Sequence, residues 1–430
     1  MNFIESDREL SRHSYYAATA SHARTFAPLA GSTRCDVAIV GGGLAGLSAA
    51  LDLRRQGRDV VVLEAREVGS GASGRNGGQA IHGLACGQDV IEAQLGQDAA
   101  RRVWDMSIEA LDLLKQRIAE HAIACDWRDG YLGVATSERK GRALAEWADT
   151  TERTYGYPLA RVPHAEIGRW IDSRRYHSAV HDPRSGHLHP LKYTLGLANA
   201  AAAAGVRIHE NTPVTSLLHG RPAVLCTATG EVQADQVLLA GNVYLRELAP
   251  ALERRIMPVG TYIVCSERLP RALADALVPT RSAVCDTDFV LDYFRTTDDD
   301  RMLFGGRVSY STRTPANLQA SMRRRMVDAL PGLRDARIEF AWGGFVDITM
   351  NRAPDFGRLA GNVYYLQGFS GHGLALTGLA GRLVAEAIAG DAGRFDLFAR
   401  LKHHPFPGGR LMRTPALVLG MAWYRMKDLL

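Results

Sequence analysis

Regular patterning along the chain begins at Cys35. Asp36–Val40 is an apolar, β-branched run that reads as a buried strand. Leu44, Leu47, Ala50 and Leu51 then recur at helical spacing up to Gln56, and Gly57 stands where a helix C-terminus favours a residue free to take positive φ. Asp59–Leu63 is a second apolar run. Strand, helix and strand in that order predict a βαβ unit and hence a parallel sheet. Helical periodicity returns over Asp98–Ile123, with Val103, Ile108, Leu111, Leu114 and Ile118 on one side, and again from His189-Pro190 through Ala204. Strands are expected at Val206–His209 and Gln236–Leu239. Between Met257 and Phe345 the texture becomes alternating, in runs such as Thr261–Cys265, Val290–Arg295 and Arg301–Phe304, which predicts an antiparallel sheet. The pattern closes with a strand at Val363–Leu366, a glycine loop and a helix over Leu374–Ile388. Residues 1–34 show no period and read as an irregular lead-in.

Length narrows this. With 430 residues, 46% of them hydrophobic, the chain supports two or three domains, here interleaved rather than sequential. The net charge of +5 comes without a basic-aromatic block, which excludes a nucleic-acid partner. Only five lysines occur, Lys115, Lys140, Lys192, Lys402 and Lys427, so arginine carries the positive charge. Cys35, Cys86, Cys125, Cys226, Cys265 and Cys285 are scattered, with no C-x-x-C and no histidine at zinc spacing. They read as reduced thiols of a cytoplasmic protein, with no metal site. The polar start, Met1 to Leu10, is not a signal peptide, and no apolar run approaches ~18 residues. Pro415–Tyr424, flanked by Arg410, Arg413, Arg425 and Lys427, reads as a terminal helix packed on the body, with contact to a membrane surface as the lesser reading. No feature sets an oligomeric state.

The turn between the first strand and helix carries chemistry. Gly41, Gly43 and Gly46 form G-x-G-x-x-G. The first allows the tight turn, the second lets backbone approach a pyrophosphate, and the third lets helix pack on strand. The pyrophosphate would lie at Leu44 and Ala45, on the unpaired amides and positive dipole of the helix N-terminus. Glu64, 18 residues after Gly46, is placed to accept from ribose hydroxyls. Strand, turn, helix, strand and acid agree on a dinucleotide, without separating FAD from NAD. Two further loops favour FAD. Gly69–Gln79 is glycine-rich and offers amides to an extended phosphate and flavin ring. The second is Gly371-His372-Gly373-Leu374, where a helix N-terminus would stabilise the negative charge of a reduced flavin.

Several stretches resemble the D-amino-acid oxidase superfamily of flavoproteins, and within it the γ-glutamylputrescine oxidase-like group. They are GASGRNGGQ at 71–79, HLHPLKYTLGLANAA at 187–201, LFGGRVSY at 303–310, WGGFVDITMNRAPDFGRL at 342–359, QGFSGHGLALT at 367–377 and the tail from 404. The resemblance implies an α/β plus α+β fold. In it a glutathione-reductase-type, Rossmann-like FAD domain (35–90, 181–256, 341–395) is interleaved with a mixed or antiparallel-sheet substrate domain (91–180, 257–340). Residues 396–430 form a C-terminal extension. The cofactor set it implies adds Ala65, Ser73, Gly74, Arg75, Asn76, Gly77, Gly78, Gln79, Val214 and Gly241. It also implies oxidation of an amine or amino acid to an imine that water hydrolyses.

Two departures refine that expectation. The sarcosine oxidase branch anchors FAD through a cysteine in the segment matching Val346–Thr349, which here has none, so FAD is expected to be noncovalent. That branch also uses two lysines. This chain has none between Lys192 and Lys402, and Ala375 stands where a carboxylate-binding lysine falls. An amine is therefore expected over a small amino acid, oxidised by hydride transfer to flavin N5. O2, giving H2O2, is the expected acceptor, with a quinone or electron carrier open; Arg307 is a candidate source of positive charge. His372 and Asp347 are the catalytic candidates, and His82, Tyr293 and Trp342 the substrate candidates, each also readable as core packing. A D-amino-acid dehydrogenase or oxidase, an NAD-dependent dehydrogenase and a non-enzymatic flavin-binding protein remain as alternatives.

Overall fold

A computed structural model describes residues 7, 13–21, 24–288, 290–309 and 317–407. The tail segment Pro415–Tyr424 and the side chain of Arg307 lie outside the described residues. Two sheets organise the chain. The first runs, in spatial order, Asp355–Ala360, Val363–Gln367, Gly230–Leu239, Gly31–Val40, Val60–Leu63 and Arg207–His209. Neighbours along this path are parallel except the edge pair 355–360 with 363–367, and the hairpin Ser216–Leu218 with Ala223–Cys226 joins 230–239 antiparallel. The second runs Ile338–Thr349, Ile256–Ser266, Met302–Ser309, Tyr293–Thr296, Ala283–Asp286, Arg128–Ala135, Ser178–His187 and Gln79–Ala80. It is antiparallel apart from the parallel pairing of 283–286 with 128–135.

The central strands of the first sheet are apolar because both faces are covered. Val37, Ile39, Val60 and Val62 face one apolar cluster, and Ala38, Val61 and Leu63 face another. The helices Leu44–Arg55 and Gly373–Ile388 pack together on the first of these faces. Their approach is close enough that a Cβ on Gly381 would stand 2.5 Å from the Ala49 nitrogen. Arg117, on the helix Gln97–Glu120, is fully buried beneath them and pairs with Asp52 at 2.6 Å.

Helix and strand ends fall near the expected positions, with instructive differences. The first helix ends at Arg55, with Gly57 at φ +81°, as its glycine suggests. His189 is the N-cap of Pro190–Ala203, its side chain accepting the Lys192 amide. The run expected as a strand from Val290 pairs only from Tyr293, because Asp286 holds the amides of Asp288 and Asp292 in a turn first. The sheets also divide the chain differently from the boundaries read at 181 and 341: Ser178–His187 and Ile338–Thr349 belong wholly to the second sheet. Both strands are long, ten and twelve residues, and each starts before the boundary that composition suggests.

The described residues of the lead-in include well-packed ones. Tyr15–Thr19 is a short helix, Tyr16 is fully buried between Trp342 and His189, and Asp7 has no exposed surface.

Candidate cofactor and active site

A cavity of about 560 Å³ lies between the two sheets. One end is built by the glycine turn. Gly41 has φ +116°, and a Cβ there would meet the Ala240 carbonyl oxygen at 2.6 Å. A Cβ on Gly46 would collide with the Gly41 carbonyl, which fixes its role in helix–strand packing. Gly43, Leu44 and Ala45 line the cavity, and the Ser73 hydroxyl accepts the Leu44 amide at 2.9 Å. Helix N-terminus, hydroxyl and bare glycine backbone form a cradle for an anion. Glu64 accepts the amides of Gly42 at 2.7 Å and Arg66 at 3.0 Å. Burial pushes its pKa up, against those two amides.

The second loop folds on itself through Asn76, whose side chain donates to Ala72 and Ser73 carbonyls and accepts the Gly78 amide. Ser73, Arg75, Asn76, Gly77 and Gln79 line the cavity. Gly74 and Gly78 stand behind it, where Cβ atoms would strike Leu191 at 2.9 Å and Arg295 at 2.8 Å. Gly371, His372, Gly373 and Leu374 line the wall at the N-terminus of the Gly373–Ile388 helix. Gly241 turns the chain after the central strand, between Ala240 and Asn242, which both line the cavity. Ala65 and Val214 sit at the margin of the first sheet, outside the lining.

His372 caps that helix through its backbone. Its Nε2 lies 2.9 Å from the His82 carbonyl, to which it donates. Burial lowers its pKa to about 4, so the ring is neutral. Asp347 lines the cavity and its carboxylate accepts the Gly368 amide, while its carbonyl accepts Ser370 N at 3.1 Å. Burial raises its pKa to about 7, against those amides.

The substrate candidates separate. Tyr293 lines the cavity, with a Cβ on Gly77 only 2.5 Å from its ring. His82 stands behind the wall, with Nδ1 2.7 Å from Asp182. Trp342 is also behind it, 1% exposed, donating its indole N–H to the Arg75 carbonyl at 3.0 Å. Both rings point into packed cores, so neither forms the cavity's wall.

Several site residues left no sequence signal. Asp7 pairs with Arg75 and with Arg66, each at 2.8 Å, and accepts the Tyr244 hydroxyl at 2.9 Å. Tyr131 and Cys285 line the substrate-sheet end. Arg352, exposed in a turn at φ +59°, lines the cavity beside His372.

A βαβ phosphate turn, a following glycine loop and a second helix N-terminus around one elongated cavity define a dinucleotide-binding flavoprotein. The family model for DAO, FAD dependent oxidoreductase, matches residues 36–387. The chain belongs to this family, and its cofactor is FAD. It is 44% identical to γ-glutamylputrescine oxidoreductase of Escherichia coli K12, over 96% of this chain and 98% of that one. It is 39% identical to the probable oxidoreductase OrdL of Haemophilus influenzae, over 96% and 97%. Among solved structures, glycine oxidase of Geobacillus kaustophilus superposes with a TM-score of 0.70 at 22% identity, covering 83% of this chain and 95% of that one. L-proline dehydrogenase of P. horikoshii gives 0.71 at 20%, covering 87% and 98%. These last two share the fold. Among the described residues no single helix is long and apolar enough to cross a membrane.

Proposed function

We propose that this chain oxidises the amine C–N bond of γ-glutamylputrescine or a closely related amine, giving an imine that water converts to an aldehyde and ammonia. The observation that carries the reading is 44% identity, along nearly the whole of both chains, to an oxidoreductase of that name. Noncovalent FAD fits, because the 346–349 segment has no cysteine and the phosphate cradle is preformed. O2 is the proposed acceptor and the cytoplasm the proposed location.

Bound FAD supplies the two-electron acceptor. The remaining work belongs to the chain. Val259, Val290, Leu291, Phe345 and Ile348 give the cavity apolar walls that exclude water and favour the uncharged amine. Tyr293 offers a ring face against which an amine can lie. His372, neutral and tied to His82, adds no positive charge to repel the substrate, and with a pKa near 4 it is a positioning group rather than a base. Asp347 positions the Gly368–Ser370 turn. Ala375 stands where the resemblance to the sarcosine oxidase branch puts the lysine that binds a short amino acid's carboxylate.

Turnover of γ-glutamylputrescine to its aldehyde and ammonia, followed by mass spectrometry with H2O2 measured in parallel, tests this. Absence of aldehyde while an amino acid yields its keto acid would overturn it.

A further inference from the structure

Arg295 lies on the strand Tyr293–Thr296, two residues from the ring that lines the cavity, and is 3% exposed. A buried guanidinium is ordinarily matched by a carboxylate. Here every partner is neutral. Nε donates to the Gly77 carbonyl at 2.8 Å. Nη2 donates to the Leu188 carbonyl and the Tyr16 hydroxyl, each at 3.0 Å. Nη1 faces His187 Nδ1 at 3.5 Å.

The neighbours cannot become anions. His187 has its other nitrogen 2.8 Å from the Arg281 carbonyl, so Nε2 carries the proton and Nδ1 is a neutral acceptor. Burial and then the Arg295 charge hold His187 at about 3, and the same two causes, with Lys192, hold His189 at about 3. The carboxylates on adjacent elements are engaged elsewhere, Asp299 with Tyr15 and Arg301, and Asp126 with Lys192. Among the described residues no carboxylate comes within ion-pair distance of Arg295.

This charge stands one peptide behind the cavity wall. Gly77 and Tyr293 line the cavity, and Arg295 touches the back of Gly77 and Gly78 so closely that a Cβ on Gly78 would lie 2.8 Å from Nη2. A unit charge in a dry, low-dielectric wall acts over longer distances than one in water. We propose that Arg295 is an electrostatic positioning residue: its unmatched charge, delivered through the Gly77 wall, stabilises the flavin when its ring becomes anionic. It would supply, from behind the wall, positive charge to a cavity that has no lysine. The proposal rests on FAD binding and is independent of which amine is oxidised.

Sulfite reads this without turnover. Its lone pair bonds to flavin N5, and the displaced electron pair becomes negative charge on the ring, so adduct affinity reports nearby positive charge. Arg295→Met, in the FAD-loaded enzyme, is expected to weaken sulfite binding by about tenfold or more and to lower the flavin reduction potential. Arg295→Lys keeps the charge and is expected to stay near the parent. A second pair avoids removing the buried side chain. In His187→Asp the Oδ1 stands where Nδ1 stood and neutralises Arg295, so sulfite binding should weaken; in His187→Asn it should not. Parent-like sulfite affinity and potential in both R295M and H187D would overturn the proposal. So would equal losses in R295K and R295M, or in H187N and H187D, with FAD content retained.

Discussion

The Asp347 carboxylate accepts the backbone N–H of Gly368, so an acid on the second sheet holds the turn that leads out of the first. That turn precedes the helix whose N-terminus lines the cavity, and Gly368 itself requires φ +78°. Asp347→Ala removes the acceptor from a fully packed turn. A lost buried hydrogen bond of this kind costs about 1–3 kcal/mol; carried in full to the cofactor wall, that is roughly a 5- to 150-fold rise in the FAD dissociation constant. Asp347→Asn keeps an acceptor oxygen and should lose less. Titration of apoprotein with FAD, followed by quenching of flavin fluorescence, measures both. Parent affinity in D347A would remove the carboxylate from cofactor binding.

Asp7 ties the lead-in to the cofactor loop by pairing with Arg66 and Arg75. Asp7→Ala leaves two buried guanidinium groups without their shared counter-ion, a change expected to cost about 3–5 kcal/mol. Because Arg75 lines the cavity, FAD should also be lost more readily through gel filtration. Thermal unfolding with and without excess FAD checks both effects. An unchanged midpoint in D7A would mean the arm contributes nothing to the folded state.

Gly46 allows no side chain, since its Cβ would meet a backbone carbonyl rather than a movable group. Gly46→Ala should therefore push the helix from the strand, at a cost of about 1–3 kcal/mol, and take FAD binding with it. Gly57→Ala meets nothing and serves as the control, with only the strain of its positive φ. Retention of FAD by G46A at parent affinity would contradict the fingerprint's geometry.

Acid should destabilise the fold. Burial holds His187 and His189 near 3 and His372 near 4, so between pH 4 and 6.5 the unfolded chain binds three protons the folded chain refuses. Their stabilisation is full above 6.5 and declines as pH falls. Asp286 and Asp347, raised to about 7 chiefly by burial, act oppositely: the folded chain keeps two protons that the unfolded chain releases above its carboxylate range. His181 and His403 are held low as well, and Glu64 and Glu386 are held high by burial, so five rings stand against four carboxylates and stability is expected to slope down towards acid in that window. Urea midpoints at pH 4.5, 5.5 and 6.5 should show that slope, and H187N should flatten it. Stability that rises towards acid would contradict the burial of these rings.

The parts of the site built by local chain were legible beforehand. Gly41, Gly43 and Gly46 are contiguous and their constraint is a backbone one, so spacing alone specifies the turn. The glycine-rich loops of Ser73–Gln79 and Gly371–Leu374 were marked by composition and by the family resemblance, and all but Gly74 and Gly78 reach the cavity wall. What escaped is set by distant contacts. Asp7 meets Arg75 across 68 residues and Tyr16 meets Arg295 across 279, with no periodicity to mark either. His82 and Trp342 are aromatic residues near the right segments, yet a strand or loop position does not say which face turns inward. Tyr293 faced the cavity and Trp342 the core, a difference of pleat that composition does not carry.

The central claim is tested most directly by mixing FAD-loaded enzyme anaerobically with γ-glutamylputrescine and, separately, with putrescine, glycine and D-alanine. Loss of the flavin band near ~450 nm is expected to be fastest with γ-glutamylputrescine, and to reverse when O2 is admitted. A flavin that stays oxidised with both amines but bleaches with an amino acid would contradict the account.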